Sequence, residues 1–427
     1  MILEAGKNTV VLVIAFLLVY HLVMLATMLT GNMLNTLVIA GILGGGVISA
    51  YGLTQGFMST FFHTYYAQLT GLTFAVYASP LAAPIVLLCS RWNQNIMDGA
   101  LSMMLTCLAI ALILGILAWF SYLKRPSERA GKGLELRWIA WLLRLFASIL
   151  GGMGGWLFMY YLVDSIPWSV FGALLAGILS YGVLDVIFYM DFKAFFRHRW
   201  NMAAAMVVML LVCCGFQRDF IGYDRYLPDQ GEIQTASIAR SPYGYYGNYN
   251  VEQTLQRVVL TDAAQIHAFL ERGIENRQGQ LHKPEEMQVE EAYGGDVFAT
   301  DTFCVRVVLD NGSSYCRKYP YYEWDQDVVL PLLCSEEYAE GIFRITEEQI
   351  ESCTVIRLTS GVNNNDGKEV LDRKIIRELA EAYNQDLSEQ PQTIILGQDR
   401  VLGQITMATQ QDYMSTWRLD LLENMTH

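Results

Sequence analysis

Residues 10–29 read VVLVIAFLLVYHLVMLATML, twenty positions with no charge and a single histidine, His21. A helix needs about 20 mostly apolar residues to cross a hydrocarbon core of roughly 30 Å, so this stretch predicts a membrane span. Four more meet the same standard: Leu34 to Met58, Ala100 to Tyr122, Leu145 to Val163 and Trp168 to Met190. Met202 to Phe216 is shorter and needs its flanking residues to complete a sixth crossing. Leu72 to Ser90 is also apolar but contains Pro80 and Pro84. Two prolines four apart remove backbone donors that lipid cannot replace, so a re-entrant or interfacial helical segment is expected there.

Composition supports the division of the chain. Of 427 residues, 53% are hydrophobic and 17% charged, against about a quarter charged in an ordinary soluble domain. Residues 1–216 carry a net charge of +4 and residues 217–427 one of -17, which together give the overall -13. A single globular core and a disordered chain are both excluded. The expectation is a polytopic α-helical membrane protein, with about six spans plus a re-entrant segment, joined to an α+β extracytoplasmic domain at the C-terminus. The expected divisions are 1–122 and 123–216 for two sets of three spans, and 217–427 for the outer domain. The amino terminus lacks the positive region and short apolar core of a cleaved signal peptide. The acidic balance gives no reason to expect a nucleic-acid partner.

Orientation follows from lysine and arginine near the span ends. Ser121 to Arg144 contains Lys124, Arg125, Arg129, Lys132, Arg137 and Arg144; Asp191 to Asn201 contains Lys193, Arg197 and Arg199. The connection Asp164 to Pro167 has no basic residue. Both basic loops are therefore expected in the cytoplasm, with the acidic half outside and Met1 to Lys7 outside as well. The expected location is the plasma membrane, crossed several times.

In the acidic half, Gln256 to Leu260 reads as a strand, and Thr261 or Asp262 as the cap of a helix reaching about Asn276 with Ile266, Phe269, Leu270 and Ile274 on one face. Phe303 to Leu309, Asn311-Gly312 and Ser314 to Tyr319 form a hairpin signal. A second helix is expected from Lys368 to about Gln385, with Ile375, Leu379 and Ala382 at helical spacing, and short strands near Thr354 to Leu358 and Thr393 to Leu396. With Asn311-Gly312 as a two-residue turn, Cys316 falls opposite Val307, three residues from Cys304. That offset is roughly 10 Å, too far for a disulfide, and a three-residue loop is expected to lengthen it. Pairings with Cys334 or Cys353 stay open, as do four buried thiols.

The search for chemistry gives few candidates. Gly131-Lys132-Gly133 lacks the rest of a phosphate-binding P-loop, and neither HExxH nor GxSxG occurs. Asp185 lies in the fifth span, and an intramembrane carboxylate is a functional candidate by default. Its alternative is a structural ion pair with Lys193 or Arg144, or contact with headgroups. His21 is either a proton relay or a hydrogen-bonded packing residue. The glycines at 44–46 and at 151, 152, 154 and 155 suit close helix packing better than a ligand site. Ser241 to Asn250, rich in Tyr and Gly, is a solvated linker or a recognition surface, and Asn363 to Gly367 is read as a turn rather than a calcium loop.

Two spans, a proline-broken outer segment and a third span ending in a basic loop together resemble the second half of an ABC-2-type permease. Tyr122-Leu-Lys-Arg-Pro-Ser-Glu-Arg-Ala-Gly131 resembles the R-x-S-E-x-A-G signature of a Gram-positive branch whose members add spans and an outer α+β domain of unknown function. Phe220-Ile-Gly-Tyr-Asp-Arg-Tyr-Leu-Pro228, the Thr261-Asp262 helix start, the Leu309-Asp-Asn-Gly hairpin and Leu379-Ala-Glu-Ala-Tyr-Asn-Gln-Asp-Leu387 are similar to that domain. The resemblance implies a permease subunit of an ATP-driven exporter rather than an enzyme. No cofactor is expected in this chain; ATP is held by an ABC ATPase subunit. A second permease subunit, the same or different, and membrane lipid are the other implied partners. Arg125 and Glu128, inside the signature, join Asp185 and His21 as functional candidates, although no coupling residues transfer. Catalytic, cofactor-binding and metal-binding residues are not expected. The family permease has an interface helix and three spans before the one that comes first here, so the resemblance implies either a shortened form or a missing part that belongs to another chain. The alternative function is a membrane-anchored extracytoplasmic binding or sensing domain.

Overall fold

The computed structural model describes residues 2–30, 32–67, 69–89, 100–124, 137–240, 251–277, 301–353, 355–360, 363–389, 401–409 and 412–422. It divides into two units. The first comprises Met1–Phe62 and Ala67–Tyr223, and the second His63–Tyr66 together with Asp224–His427. The chain thus leaves the first unit twice, for four residues after Phe62 and again at Asp224.

The first unit is helical. Its elements are α1 (Ile2–Leu29), α2 (Met33–Phe61), α3 (Leu69–Tyr77), α4 (Ala82–Cys89), α5 (Ala100–Lys124), α6 (Arg137–Val163), α7 (Ile166–Tyr189) and α8 (Arg199–Gln217). Among the described residues six helices, α1, α2 and α5 to α8, are long and apolar enough to cross a membrane, which is consistent with a polytopic helical membrane protein. In the proline-containing stretch two short helices do form, α3 and α4, separated at Ser79-Pro80-Leu81; Ser90 lies outside the described residues. Pro84 falls in the first turn of α4, where a missing backbone donor costs nothing.

Hydroxyl and amide side chains close the tight turn from α1 to α2. Asn32 Oδ1 accepts from the Leu34 amide, and Thr30 Oγ1 donates to the Ala26 carbonyl while lying 2.6 Å from Thr36 Oγ1. Helix α7 starts at a proline within its first turn and stops at Met190, whose φ of 51° is left-handed.

The packing fixes which helix ends lie together. Phe146 packs on Gly46 and Leu157 on Gly56, while Thr60 Oγ1 and Tyr161 Oη are 2.8 Å apart, so α2 and α6 run parallel. The rings of Phe57 and Phe62 lie 5.5 and 6.0 Å from Phe216, which aligns the ends of α2 and α8. At the other end Ala26, Ile39, Ala140, Leu143, Leu184 and Phe188 form one cluster. The end of α1 and start of α2 therefore share that end with the start of α6 and the end of α7. The two basic connections meet the bundle there, and the ends of α2 and α8 lie together at its opposite end.

Helices α6 and α7 approach each other closely. A Cβ built on Gly172 would stand 2.6 Å from the Gly155 carbonyl oxygen, and Gly155 and Gly151 are crowded in the same way by α7. Small residues allow apolar helices to associate by close packing, without hydrophobic expulsion into one another. Gly172→Val must push α6 and α7 apart, at a cost of about 2 kcal/mol or more. Gly45→Ala meets nothing within 4 Å. Thermal unfolding in detergent should show a clear loss for the first variant and no loss for the second.

The second unit contains β1 (Ile233–Arg240), α9 (Val251–Arg257), α10 (Ala263–Arg277), β2 (Asp301–Leu309), β3 (Ser314–Tyr321), α11 (Gln326–Leu333), α12 (Glu336–Phe343), α13 (Glu347–Ser352), β4 (Val355–Ser360), β5 (Asn363–Val370), α14 (Arg373–Glu389), β6 (Val401–Thr409) and β7 (Asp412–Leu422). One antiparallel sheet has the order β1-β2-β3 and the other β5-β4-β6-β7. On the first sheet, Ile266, Phe269, Leu270 and Ile274 of α10 pack with Val305, Val307, Tyr319 and Tyr321. Asp262 is the α10 cap, its Oδ1 accepting from the Ala264 and Gln265 amides. Around the second sheet, Ile345, Ile350, Cys353 and Ile356 pack with Ile376, Ala380 and Tyr383 of α14.

Several local expectations are corrected. Gln256 to Leu260 is not a strand. Residues 251–257 are helical, and only Leu260 pairs, across the edge of β1, with Ala236. The hairpin loop runs from Asp310 to Gly312, because the Leu309 amide donates to the Ser313 carbonyl and Gly312 takes a φ of 79°. That is a three-residue loop with glycine at the left-handed position. It shortens the offset instead of lengthening it: Cys316 faces Arg306, two residues from Cys304. Cys304, Cys316, Cys334 and Cys353 are all thiols. Lys368 belongs to β5, and the second helix begins at Arg373, since Asn363 to Val370 pairs with β4 and is neither turn nor helix. The buried face of α14 is one residue later than expected: Ile376, Ala380 and Tyr383 are buried, while Ile375 is exposed. Thr393 to Leu396 and Ser241 to Asn250 lie outside the described residues.

Burial raises the Tyr321 phenol well above its ordinary value of 10; Tyr319 and Asp325 add to this and Arg272 opposes it. The unfolded tyrosine ionises first, so its contribution to stability is complete below pH 10 and is lost as pH rises further. Tyr321→Phe should flatten the fall in melting temperature between pH 9 and 11. At neutral pH it should cost about 1 kcal/mol for the lost hydrogen bond to the Phe269 carbonyl.

Candidate functional site

Three polar arrangements stand out from the apolar packing. The first lies in the middle of α2. Ser79 Oγ donates to the Gly44 carbonyl at 2.6 Å, and the Leu81 amide donates to the same oxygen at 3.2 Å. Ser79 is fully buried and its Oγ also accepts from the Ala82 amide. Gly44 stands seventeen residues before the end of α2, about 26 Å at 1.5 Å per residue. The turn between α3 and α4 therefore reaches deep into the helical bundle. Irregular backbone at that depth is tolerated only where protein satisfies it, which the Gly44 carbonyl and Ser79 do here. A Cβ on Gly44 would stand 2.5 Å from Leu81 Cγ, so glycine is what admits the turn.

The second is a buried charge cluster. Asp185 on α7 is fully enclosed; its Oδ1 lies 2.9 Å from Arg144 Nε on α6, and its Oδ2 lies 3.2 Å from His198 Nδ1. The Arg144 contact is a close ion contact without hydrogen-bond alignment. The Arg144 guanidinium sits 5.4 to 5.9 Å from the rings of Tyr181, Phe188 and Tyr189. The structure thus selects Arg144, rather than Lys193, as the partner of Asp185. Sequence spacing alone does not reveal His198, which the left-handed break at Met190 turns back toward α7. The cluster neutralises and positions; it presents no activated nucleophile.

The third lies within the second unit and pairs residues far apart in sequence. Asp224 is buried and accepts from the His63 amide at 3.3 Å, the Thr64 amide at 3.2 Å and Thr64 Oγ1 at 2.6 Å, and it pairs with Arg277 of α10. The Lys318 amide donates to the Thr64 carbonyl, and Tyr65 bridges Arg317, so residues 64 and 65 extend the outer edge of β3. Tyr66 packs beside Ala239, Leu255 and Cys304. The link between α2 and the short helices α3 and α4 is therefore built into the second unit.

His21 is placed as a packing residue: its Nδ1 lies 2.7 Å from the Leu17 carbonyl oxygen and its ring fills the space over Gly115. Arg125 and Glu128 lie outside the described residues. Among the described residues no group of three or more His, Cys, Asp or Glu side chains is arranged to hold a metal ion. Comparison with protein-family models, with curated proteins and with solved structures finds no match.

Proposed function

We propose that the chain is a membrane-spanning permease subunit of an ATP-binding-cassette exporter, with its ATPase on a separate chain. The observation that carries this reading is the α3–α4 pair turned at Ser79-Pro80-Leu81 and held on the Gly44 carbonyl. Broken helices at membrane depth characterise transport folds, because their free backbone groups are satisfied only against protein or a water-filled path. The resemblance of residues 122–131 to the ABC-2 signature supports the same reading. So does the limited internal burial of the spans, 22 to 39% of each apolar window, which leaves helix faces for a second permease subunit and for lipid.

The localisation proposed is the plasma membrane. The helix ends carrying the basic connections face the cytoplasm, where lysine and arginine are retained. The second unit, which continues from the opposite end, is then extracytoplasmic. The full-length chain, solubilised in mild detergent from its own cells, should co-purify with a protein bearing a nucleotide-binding P-loop. Repeated recovery of the intact chain without such a protein would contradict the proposal.

A further inference from the structure

Between α7 and α8 the chain makes a short 3₁₀ turn, Phe192–Phe196, followed by Arg197, His198, Arg199 and Trp200. Three of these side chains face inward: Ala194 is buried, Phe195 packs on Gly182 of α7, and His198 reaches Asp185. Three large aromatics face outward, with Phe192 88%, Phe196 62% and Trp200 79% exposed. Lys193, Arg197 and Arg199, interleaved with them, are exposed too. Among the described residues no carboxylate pairs with these three cations. Asp191 is engaged by the Lys193 backbone amide, and Asp185 by Arg144 and His198. Arg197 instead lies 4.6 Å above the Tyr189 ring, which holds its guanidinium in place without neutralising it.

We infer that this turn is a binding site for anionic phospholipid headgroups. The inference rests on α7 and α8 being membrane spans, not on the transport reading. Exposed aromatics alternating with cations at the ends of two spans match the headgroup level, where rings partition at the interface and cations meet phosphate. A protein partner would have to cover both kinds of side chain with alternating acidic and apolar groups. An anionic leaflet supplies that pattern unaided.

The test is a thermal-shift titration of the purified full chain in zwitterionic phosphatidylcholine discs, with phosphatidylglycerol added stepwise. Each cation near an anionic surface is worth about fivefold in affinity, so K193Q/R197Q/R199Q should weaken the phosphatidylglycerol response roughly a hundredfold. Its melting temperature in pure phosphatidylcholine should fall only slightly, through loss of the Arg197 contact with the Tyr189 ring. K193R/R199K should keep the response, which separates charge from folding. The inference is overturned if the triple variant responds like the parent. It is also overturned if phosphatidylcholine stabilises equally, if inorganic phosphate alone reproduces the shift, or if the triple variant loses a co-purifying protein while keeping its lipid response.

Discussion

Asp185→Leu is expected to destabilise the helical unit by about 3–5 kcal/mol, because it leaves the guanidinium of Arg144, itself only 4% exposed, without its counter-charge. Arg144→Met should cost somewhat less, because the buried carboxylate loses its main counter-charge but keeps the contact with His198. The double variant Arg144→Met, Asp185→Leu should recover most of either loss, since apolar side chains of similar volume often replace a buried pair without penalty. A double-mutant cycle on unfolding in detergent reads this directly. Additive losses would show that the two side chains act independently and that the 2.9 Å contact contributes little. His198→Gln should have a smaller effect, because Arg144 continues to neutralise Asp185.

Asp224→Ala is expected to detach residues 63–66 from the second unit. The carboxylate accepts from two backbone amides and one hydroxyl and also pairs with Arg277, so alanine leaves several partners unsatisfied at once. A loss of about 3 kcal/mol follows from breaking such a buried charged network. Hydrogen exchange gives the local readout. The Lys318 amide, bonded to the Thr64 carbonyl, should exchange about a hundredfold faster in the variant. The Val305 amide, in the middle strand of the same sheet, should change much less. Asp224→Asn, which keeps one acceptor oxygen, should fall between the two. Equal exchange at Lys318 in parent and variant would mean that β3 holds the segment without the aspartate.

The membrane half was legible because the bilayer imposes a length and an apolar composition that few other constraints imitate. Residues 10–29 and 100–122 meet both conditions, and the break at Pro80 was visible because proline leaves a fixed mark on the backbone. The depth of that break was not visible, since it depends on Gly44, one glycine among three consecutive ones. Asp185 stands out as the lone carboxylate of an apolar, span-length helix, and Arg144 is among the partners its spacing offers. Asp224 escaped notice. Its partners His63 and Thr64 are about 160 residues earlier, and nothing local marks an aspartate beside a tyrosine as buried. In the second unit α10 was clear from its cap and apolar face, whereas β5, with the sequence NNNDGKEV, is strand only because β4 pairs with it. The face of α14 was misplaced by one residue because Ile375 and Ile376 are adjacent and equally apolar, and tertiary packing decides between them.

Sidedness is the most direct test, and single cysteines read it. Cys334 is a poor reporter, half-buried and with its thiol pKa raised by burial. Ser313→Cys, on the exposed hairpin of the second unit, and Lys193→Cys, on the basic turn, are better placed. A membrane-impermeant maleimide applied to intact cells should label the first above the background of the parent chain, and the second only after the cells are opened. Labelling in the reverse order would place the acidic unit in the cytoplasm and contradict the proposed orientation.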